Sequence, residues 1–492
     1  MFAFLFRLAS GRLAFLGLSV LQRGIPFLLL PLMTGTLGAY SYGQASVLTA
    51  IFLLCGVTFS LGMDMVTYRH GPAALVAAGE DRDTLSAGAA LQLCAPIVLA
   101  AGTAGVILMA GLPIASVPAQ SIALSVMGAG VTTAAWQFPA AWARTQGKFG
   151  RYATFAIVNT VILASCKVVF VVLLGWGAEG WAIADLVSGI LLIFVTGASY
   201  RVPLSWRKGV RTRGLRPALR LGLPLVPGQA SQWAQGMSDR LLIAGLLGAS
   251  LAGQYALAGQ LVSIGSAVIL ELSKYVLPSL ASAGYSNRDA VNMVLQRVAP
   301  SQLQLFSLTA VGVGLGGSFA PVVFGASFSQ SAPISTFLAA ALLLTGVGYL
   351  SDNILGITLG LTRIVGVANV AGAVASVTAN ILLIPVLGVA GAVGVAICSS
   401  AVVTACLWFA LWKNGARISP LFPSASIVMT SLGAILAMGC VVLFADAALW
   451  NIPIACAPLA HVLIVRIRHR RAHPSTVLVG IREAERDSEP SL

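Results

Sequence analysis

Long apolar runs recur along the whole chain, and the gaps between them alternate in charge. Every second gap is rich in Arg and Lys, and the gaps between those hold neither. A helix needs about 20 apolar residues to cross the hydrocarbon core, because lipid offers no partner for an exposed backbone amide. By that measure the chain carries about fourteen spans. They are expected at 13–32, 43–66, 86–111, 120–142, 153–174, 180–200, 218–246, 252–275, 298–324, 333–358, 364–384, 391–412, 425–445 and 451–467. Hydrophobic residues make up 58% of the chain and charged residues 9%. That leaves too little charge to cover a water-soluble domain, so an all-α polytopic membrane protein is expected.

The alternation also orients the chain. The gaps at 67–85, 143–152, 201–217, 276–297 and 413–424 are basic, whereas those at 33–42, 112–119, 175–179, 247–251, 325–332, 385–390 and 446–450 hold no Lys or Arg. Because Lys and Arg hold loops on the cytoplasmic side, the basic gaps are expected inside, with both termini cytoplasmic in a bacterial inner membrane. The net charge of +14 then reflects orientation, and nucleic acid is not an expected partner. The opening MFAFLFRLASGRL interleaves its charges with Phe and Leu, so it is expected to be retained as the first helix. The seven cysteines lie singly in apolar spans, without the close spacing of a metal or redox site.

The chain repeats itself. Leu37-Gly38-Ala39-Tyr40-Ser41-Tyr42-Gly43-Gln44 returns as Leu247-Gly248-Ala249-Ser250-Leu251-Ala252-Gly253-Gln254. Gly177-Ala178-Glu179-Gly180 is matched to Gly391-Ala392-Val393-Gly394 at nearly the same offset. Two such pairs in register predict two six-helix halves, at 1–200 and 218–412, joined by a basic linker at 201–217. An even number of spans per half makes the repeat parallel. A further helix pair at 413–467 and a tail at 468–492 lie outside the repeat.

Charges within a span are costly unless they face water or a partner, which makes each a candidate functional residue. Arg23 and Lys167 are deep cations with no evident local acid. Asp239 and Arg240 are adjacent, so they point in different directions and satisfy one another poorly. Asp352 lies deep in the tenth span, and Glu271 with Lys274 can pair along one helix face. Arg23, Lys167 and Arg240 are the candidate cavity cations, suited to an anionic substrate such as a phosphate. Asp239 and Asp352 are the candidates for coupling to H+ or Na+, and no other cofactor is expected. Pro26, Pro31, Pro224 and Pro227 interrupt the two helices that open the two halves, and are the candidate hinges. The chain has no phosphate loop of the Walker type and no large outer loop with an acidic set, so it is not expected to be an enzyme.

Arg23-Gly24-Ile25-Pro26, Leu30-Pro31-Leu32-Met33-Thr34, Tyr42-Gly43, Ser60-Leu61-Gly62-Met63 and Arg69 together resemble the start of bacterial polysaccharide flippases. These belong to the multidrug/oligosaccharidyl-lipid/polysaccharide exporter superfamily. Ser238-Asp239-Arg240-Leu241-Leu242-Ile243 with Gly253-Gln254-Tyr255-Ala256 is similar to that family's seventh and eighth helices, and Asn380-Ile381-Leu382-Leu383-Ile384-Pro385 to its eleventh. The resemblance spans about residues 12 to 412 and implies a MATE-like fold, two six-helix bundles in a V around a cationic cavity. It further implies a flippase for a polyprenyl-diphosphate-linked O-antigen or exopolysaccharide repeat unit, with membrane lipids, a polysaccharide polymerase and chain-length proteins as partners. Arg23, Asp239 and Arg240 carry over most directly. The alternatives are a multidrug antiporter of the same fold, a lipid II flippase, which shares the extra helix pair, and a membrane-embedded polymerase.

Overall fold

A computed structural model of the chain describes residues 12–76, 79–201, 214–282, 292, 295–296, 299–415, 422–445 and 451–472. The side chains of Arg23 and Lys274, most of the linker and the tail from 473 onward lie outside the described residues. The helices are α1 (12–37) and α2 (39–59), which meet at Gly38, then α3 (Met63–Val76), α4 (Glu80–Ala110), α5 (Ala119–Thr145) and α6 (Phe149–Lys167). They continue as α7 (Gly177–Thr196), α8 (Leu215–Gly222), α9 (Val226–Leu246), α10 (Ala249–Ser282), α11 (Ala299–Ser318) and α12 (Ala320–Phe324). The last are α13 (Ser331–Asn353), α14 (Thr362–Leu387), α15 (Val389–Lys413), α16 (Phe422–Ala445) and α17 (Asn451–Ala472).

Each of the fourteen expected spans falls mainly on helical backbone, and among the described residues nine helices are long and apolar enough to cross a membrane. Helix α9 is not among the nine because Gln229, Ser231, Gln232, Gln235, Ser238, Asp239 and Arg240 dilute its hydropathy. A π-helical turn, Val168–Leu173, extends α6, and another, Ile354–Thr358, extends α13.

The helices gather into two compact units. The first comprises Met1–Gln260, Ala320–Ser331 and Gly366–Ser399, and the second Leu261–Phe319, Ala332–Val365 and Ser400–Leu492. In the first, α5 is buried along most of its length and packs on α4 and α7. Thr196 and Tyr200 donate hydroxyl hydrogen bonds to the Ala135 and Ala134 carbonyls at 2.7 and 2.6 Å, so polar side chains supply part of the adhesion that lipid cannot. In the second, Thr336 bonds the Gly314 carbonyl at 3.2 Å and Thr404 that of Leu344 at 2.8 Å, by the same device.

The repeat has a structural counterpart within the first unit. Gly38 and Gly248 both adopt positive φ, 65° and 98°, where a Cβ would be strained. The first turn is tighter than expected. In place of a gap at 33–42, α1 and α2 meet at one residue, because Met33 to Leu37 continue the helix and Gly38 alone makes the break. The two copies then meet backbone to backbone. A methyl group on Gly43 would lie 1.7 Å from the Ala249 carbonyl oxygen, and one on Gly253 would lie 2.0 Å from that of Ala39. Beside this clasp the two glutamines act alike. Gln44 Nε2 donates to the Ser116 carbonyl at 2.7 Å, and Gln254 Oε1 accepts from the Gln330 amide at 2.9 Å, each holding a distant turn.

The second sequence pair aligns differently from the expectation. Gly177 and Gly388 share φ near +60°, and the residues that closely approach the preceding segment are Gly180, at 2.6 Å from the Phe170 carbonyl oxygen, and Gly391, at 2.7 Å from that of Leu383. Gly180 therefore matches Gly391. The step from Gly180 to Gly391 is 211 residues, beside 210 from Gly43 to Gly253. Letter identity with Gly391-Ala392-Val393-Gly394 misplaces the match by three residues, because backbone conformation and close approach, not the flanking alanine, fix the role.

The prolines also divide. Helical dihedrals persist through Pro26 and Pro31, whereas Pro224 lies in a 3-10 turn, Leu223–Leu225, that separates α8 from α9, and Pro227 occupies the first turn of α9. Proline is tolerated in that first turn because its missing N–H has no intrahelical acceptor.

Candidate functional site

Two clusters of charge lie inside the first unit. Lys167, the last residue of α6, has no acid near it in sequence. The structure supplies one: Asp185 on α7 stands 3.3 Å from its Nζ, with both side chains largely buried. The ammonium also sits over the Trp181 ring, 3.6 Å from the centroid. Trp181 in turn donates its indole N–H to Thr49 Oγ1 at 3.1 Å and meets the Tyr42 ring edge-on at 6.4 Å. The lysine is thus neutralised by a carboxylate and capped by an aromatic face, a closed arrangement for a cation in an apolar environment.

The second cluster is built on α9. Asp239 is satisfied on both oxygens: Oδ1 accepts from the Arg240 backbone N–H at 2.8 Å, and Oδ2 accepts from the Tyr255 hydroxyl at 2.5 Å. Its neighbour Arg240 is only 6% exposed, and among the described residues its guanidinium forms no ion pair. Both side chains reach one face of α10, the carboxylate at Tyr255 and the guanidinium one turn on at Gly259, so their charges act on one another without a close salt bridge. A methyl group on Gly259 would come within 2.9 Å of Arg240 Nη2, so the absence of a side chain there is what admits the guanidinium. Trp233, further along α9, donates its indole N–H to the Ala50 carbonyl at 2.9 Å and ties α9 to α2.

Helix α9 shows one feature that a search for charges misses. Gln229, Gln232, Gln235 and Asp239 recur at spacings of three, three and four, which is one face of a helix. Gln232 and Gln235 are exposed, and Gln235 Nε2 donates to the Asn369 carbonyl at 2.7 Å. An exposed amide stripe is poorly matched to hydrocarbon and suits water or a hydroxyl-rich ligand. The signal is present in the sequence as glutamines at helical spacing.

Of the other candidates, Arg23 stands on α1 with its side chain outside the described residues. Asp352 is in the second unit, half-buried, without an ion pair among the described residues, and shortly precedes the π-helical turn Ile354–Thr358. Lys167 immediately precedes the other π-helical turn. Such turns shift side-chain direction mid-helix and concentrate at functional positions.

Comparison with solved structures gives the same fold at low identity. A lipid II flippase, MurJ in an inward closed conformation, matches with a TM-score of 0.65 at 14% identity, covering 94% of this chain and 98% of that one. A multidrug resistance MATE family transporter of the MOP superfamily, inward-facing, matches at 0.61 and 16%, covering 81% and 94%. A point mutant of the Vibrio cholerae MATE transporter VcmN matches at 0.53 and 16%, covering 80% and 94%. No curated protein matches the sequence. The profile of the polysaccharide biosynthesis protein family matches residues 32–333, more than half of the chain. A multi-pass, MATE-like membrane protein whose sequence carries that profile over α2, α9, α10 and the clasp between them belongs to the polysaccharide biosynthesis protein family.

Proposed function

We propose that the protein carries a polyprenyl-diphosphate-linked oligosaccharide repeat unit from the cytoplasmic to the outer leaflet of a bacterial inner membrane. The observation that carries this reading is Arg240, a buried guanidinium that makes no close salt bridge among the described residues, on a membrane helix rich in amides. A diphosphate is the natural complement of a planar fork of donors. The glutamine stripe beside it offers hydrogen-bond partners to sugar hydroxyls, and the lipid chain stays in the bilayer. In this reading Arg23 supplies a second cation, Lys167 a third once Asp185 releases it, and Asp239 or Asp352 couples the cycle to H+ or Na+. The two halves at 1–200 and 218–412 alternate exposure of the polar face, with α9 swinging about the turn that holds Pro224 and Pro227 and α1 bending at Pro26 and Pro31. The reciprocal clasp of the two turns supports treating the halves as repeats.

A multidrug antiporter needs an acidic site for organic cations. Here both acids near the site are already satisfied, Asp185 by Lys167 and Asp239 by Tyr255 and a backbone amide. The likeness to a lipid II flippase supports the fold, and the family match favours a surface-polysaccharide cargo.

The test is a deletion strain complemented with the wild-type chain or with Arg240→Gln. Loss of surface polymer with lipid-linked repeat units held on the cytoplasmic leaflet, restored by the wild type and not by an expressed Arg240→Gln protein, is the expected result. Intact polymer in the deletion strain, with new sensitivity to cationic dyes, overturns the reading.

A further inference from the structure

Helix α8 precedes the polar helix α9 and plays no part in the transport reading. Its residues divide by face. Ala218 and Gly222 are buried, and Ala218 packs in a small core with Met63 and Val66, whereas Leu215, Arg216 and Arg220 are exposed. Both ends are pinned at close approach. A methyl group on Gly214 would lie 2.2 Å from the Asp83 carbonyl oxygen, and one on Gly222 would lie 2.4 Å from that of Leu61. The exposed face is therefore held outward by the packing of the other.

Along that face runs an open groove of about 700 Å³ lined by Leu215, Arg216, Leu219, Arg220, Leu223 and Pro224. Arg216 and Arg220 are four residues apart, so their side chains emerge one above the other and can converge on one phosphate. Among the described residues neither has an ion pair or hydrogen bond. Leu215, Leu219 and Leu223 recur at the same spacing and make an apolar rail beside the cationic one. Leu215 is 36% exposed and Leu223 45%. One 3-10 turn further on, α9 begins. Paired arginines beside leucines at the mouth of a membrane helix match the layer where lipid headgroups give way to acyl chains.

We propose that this groove binds an anionic membrane phospholipid, with Arg216 and Arg220 on its phosphate and the leucine rail along the first carbons of its chains. A free phosphate or diphosphate ion would satisfy the arginines and leave the rail unused. Apart from Pro224 at its rim the site shares no residue with the proposed transport machinery, and its occupancy is read without transport.

The experiment is native mass spectrometry of the full-length protein titrated with phosphatidylglycerol, with phosphatidylcholine and inorganic diphosphate as comparison probes. Phosphatidylglycerol should bind in preference to phosphatidylcholine. Arg216→Gln with Arg220→Gln should weaken phosphatidylglycerol about thirty-fold while leaving phosphatidylcholine unchanged, and Arg216→Lys with Arg220→Lys should retain most of the binding. Leu219→Gln, which keeps both charges, should also weaken the lipid. Equal phosphatidylglycerol binding by the double Gln variant overturns the proposal. So does displacement of the lipid by inorganic diphosphate at matched concentration, which would mark a site for the ion alone.

Discussion

The two buried charge clusters of the first unit use similar residues to opposite ends. Lys167 and Asp185 come from different helices, face each other at 3.3 Å and are roofed by Trp181, so the cluster is self-contained. Asp239 and Arg240 are neighbours on one helix: the acid is taken by Tyr255 and a backbone amide, and the guanidinium, whose charge acts on Asp239 through space, makes no close salt bridge among the described residues. In the proposed function this guanidinium is the charge that the substrate's diphosphate meets. The first cluster ties two helices together, and in the proposed function the second meets the substrate.

The sharpest way to break this contrast is Asp185→Asn, which strands a buried ammonium. It should cost about 3–5 kcal/mol of stability, read as loss of monodisperse protein after mild heating, whereas Lys167→Met with Asp185→Leu should recover most of it. Arg240→Gln should do the reverse, leaving thermal stability near wild type while weakening a diphosphate-lipid ligand by about 1.5–3 kcal/mol in a binding titration. Tyr255→Phe removes one hydrogen bond from Asp239 and should cost about 1.5 kcal/mol of stability; it also frees the carboxylate to turn toward Arg240, so ligand affinity should fall with it. Trp181→Phe keeps a weaker aromatic roof over Lys167 and loses the bond to Thr49, a change of about 1 kcal/mol in the same heating assay, with ligand affinity unaltered. If Trp181→Phe instead lowers ligand affinity as much as Arg240→Gln does, the division of labour between the clusters fails.

The spans are legible in the sequence because the bilayer imposes a one-dimensional length on them, and each of the fourteen segments falls mainly on helix. That Asp239 and Arg240 form no close salt bridge is legible too, since neighbours on a helix leave in different directions. The Lys167–Asp185 pair is not, because the acid lies eighteen positions away on the next helix, across a turn whose geometry no local rule supplies. The tight junction at Gly38 is hidden for a related reason: Thr34-Gly35-Thr36 reads equally well as loop or helix. The glutamine stripe of α9 escapes any search confined to ionisable groups, although its spacing is in plain view. The second repeat pair misaligns because matching letters do not report φ.

The clasp formed by Ala39, Gly43, Ala249 and Gly253 has a consequence for how such a chain can change. Each copy of the motif is the surface on which the other copy rests, so a side chain gained in either one collides with the backbone of its twin, and enlarging or shrinking the twin's side chains gives no relief. After a duplication, these positions are bound to a shared history. The residues just outside the contact are released from it: where one copy carries Tyr42, packed against Trp181 and Phe328, the other carries Ala252. Divergence between the halves is therefore channelled away from the seam and into the residues around it, where Tyr42 joins an aromatic cluster drawn from both halves and its repeat counterpart Ala252 does not.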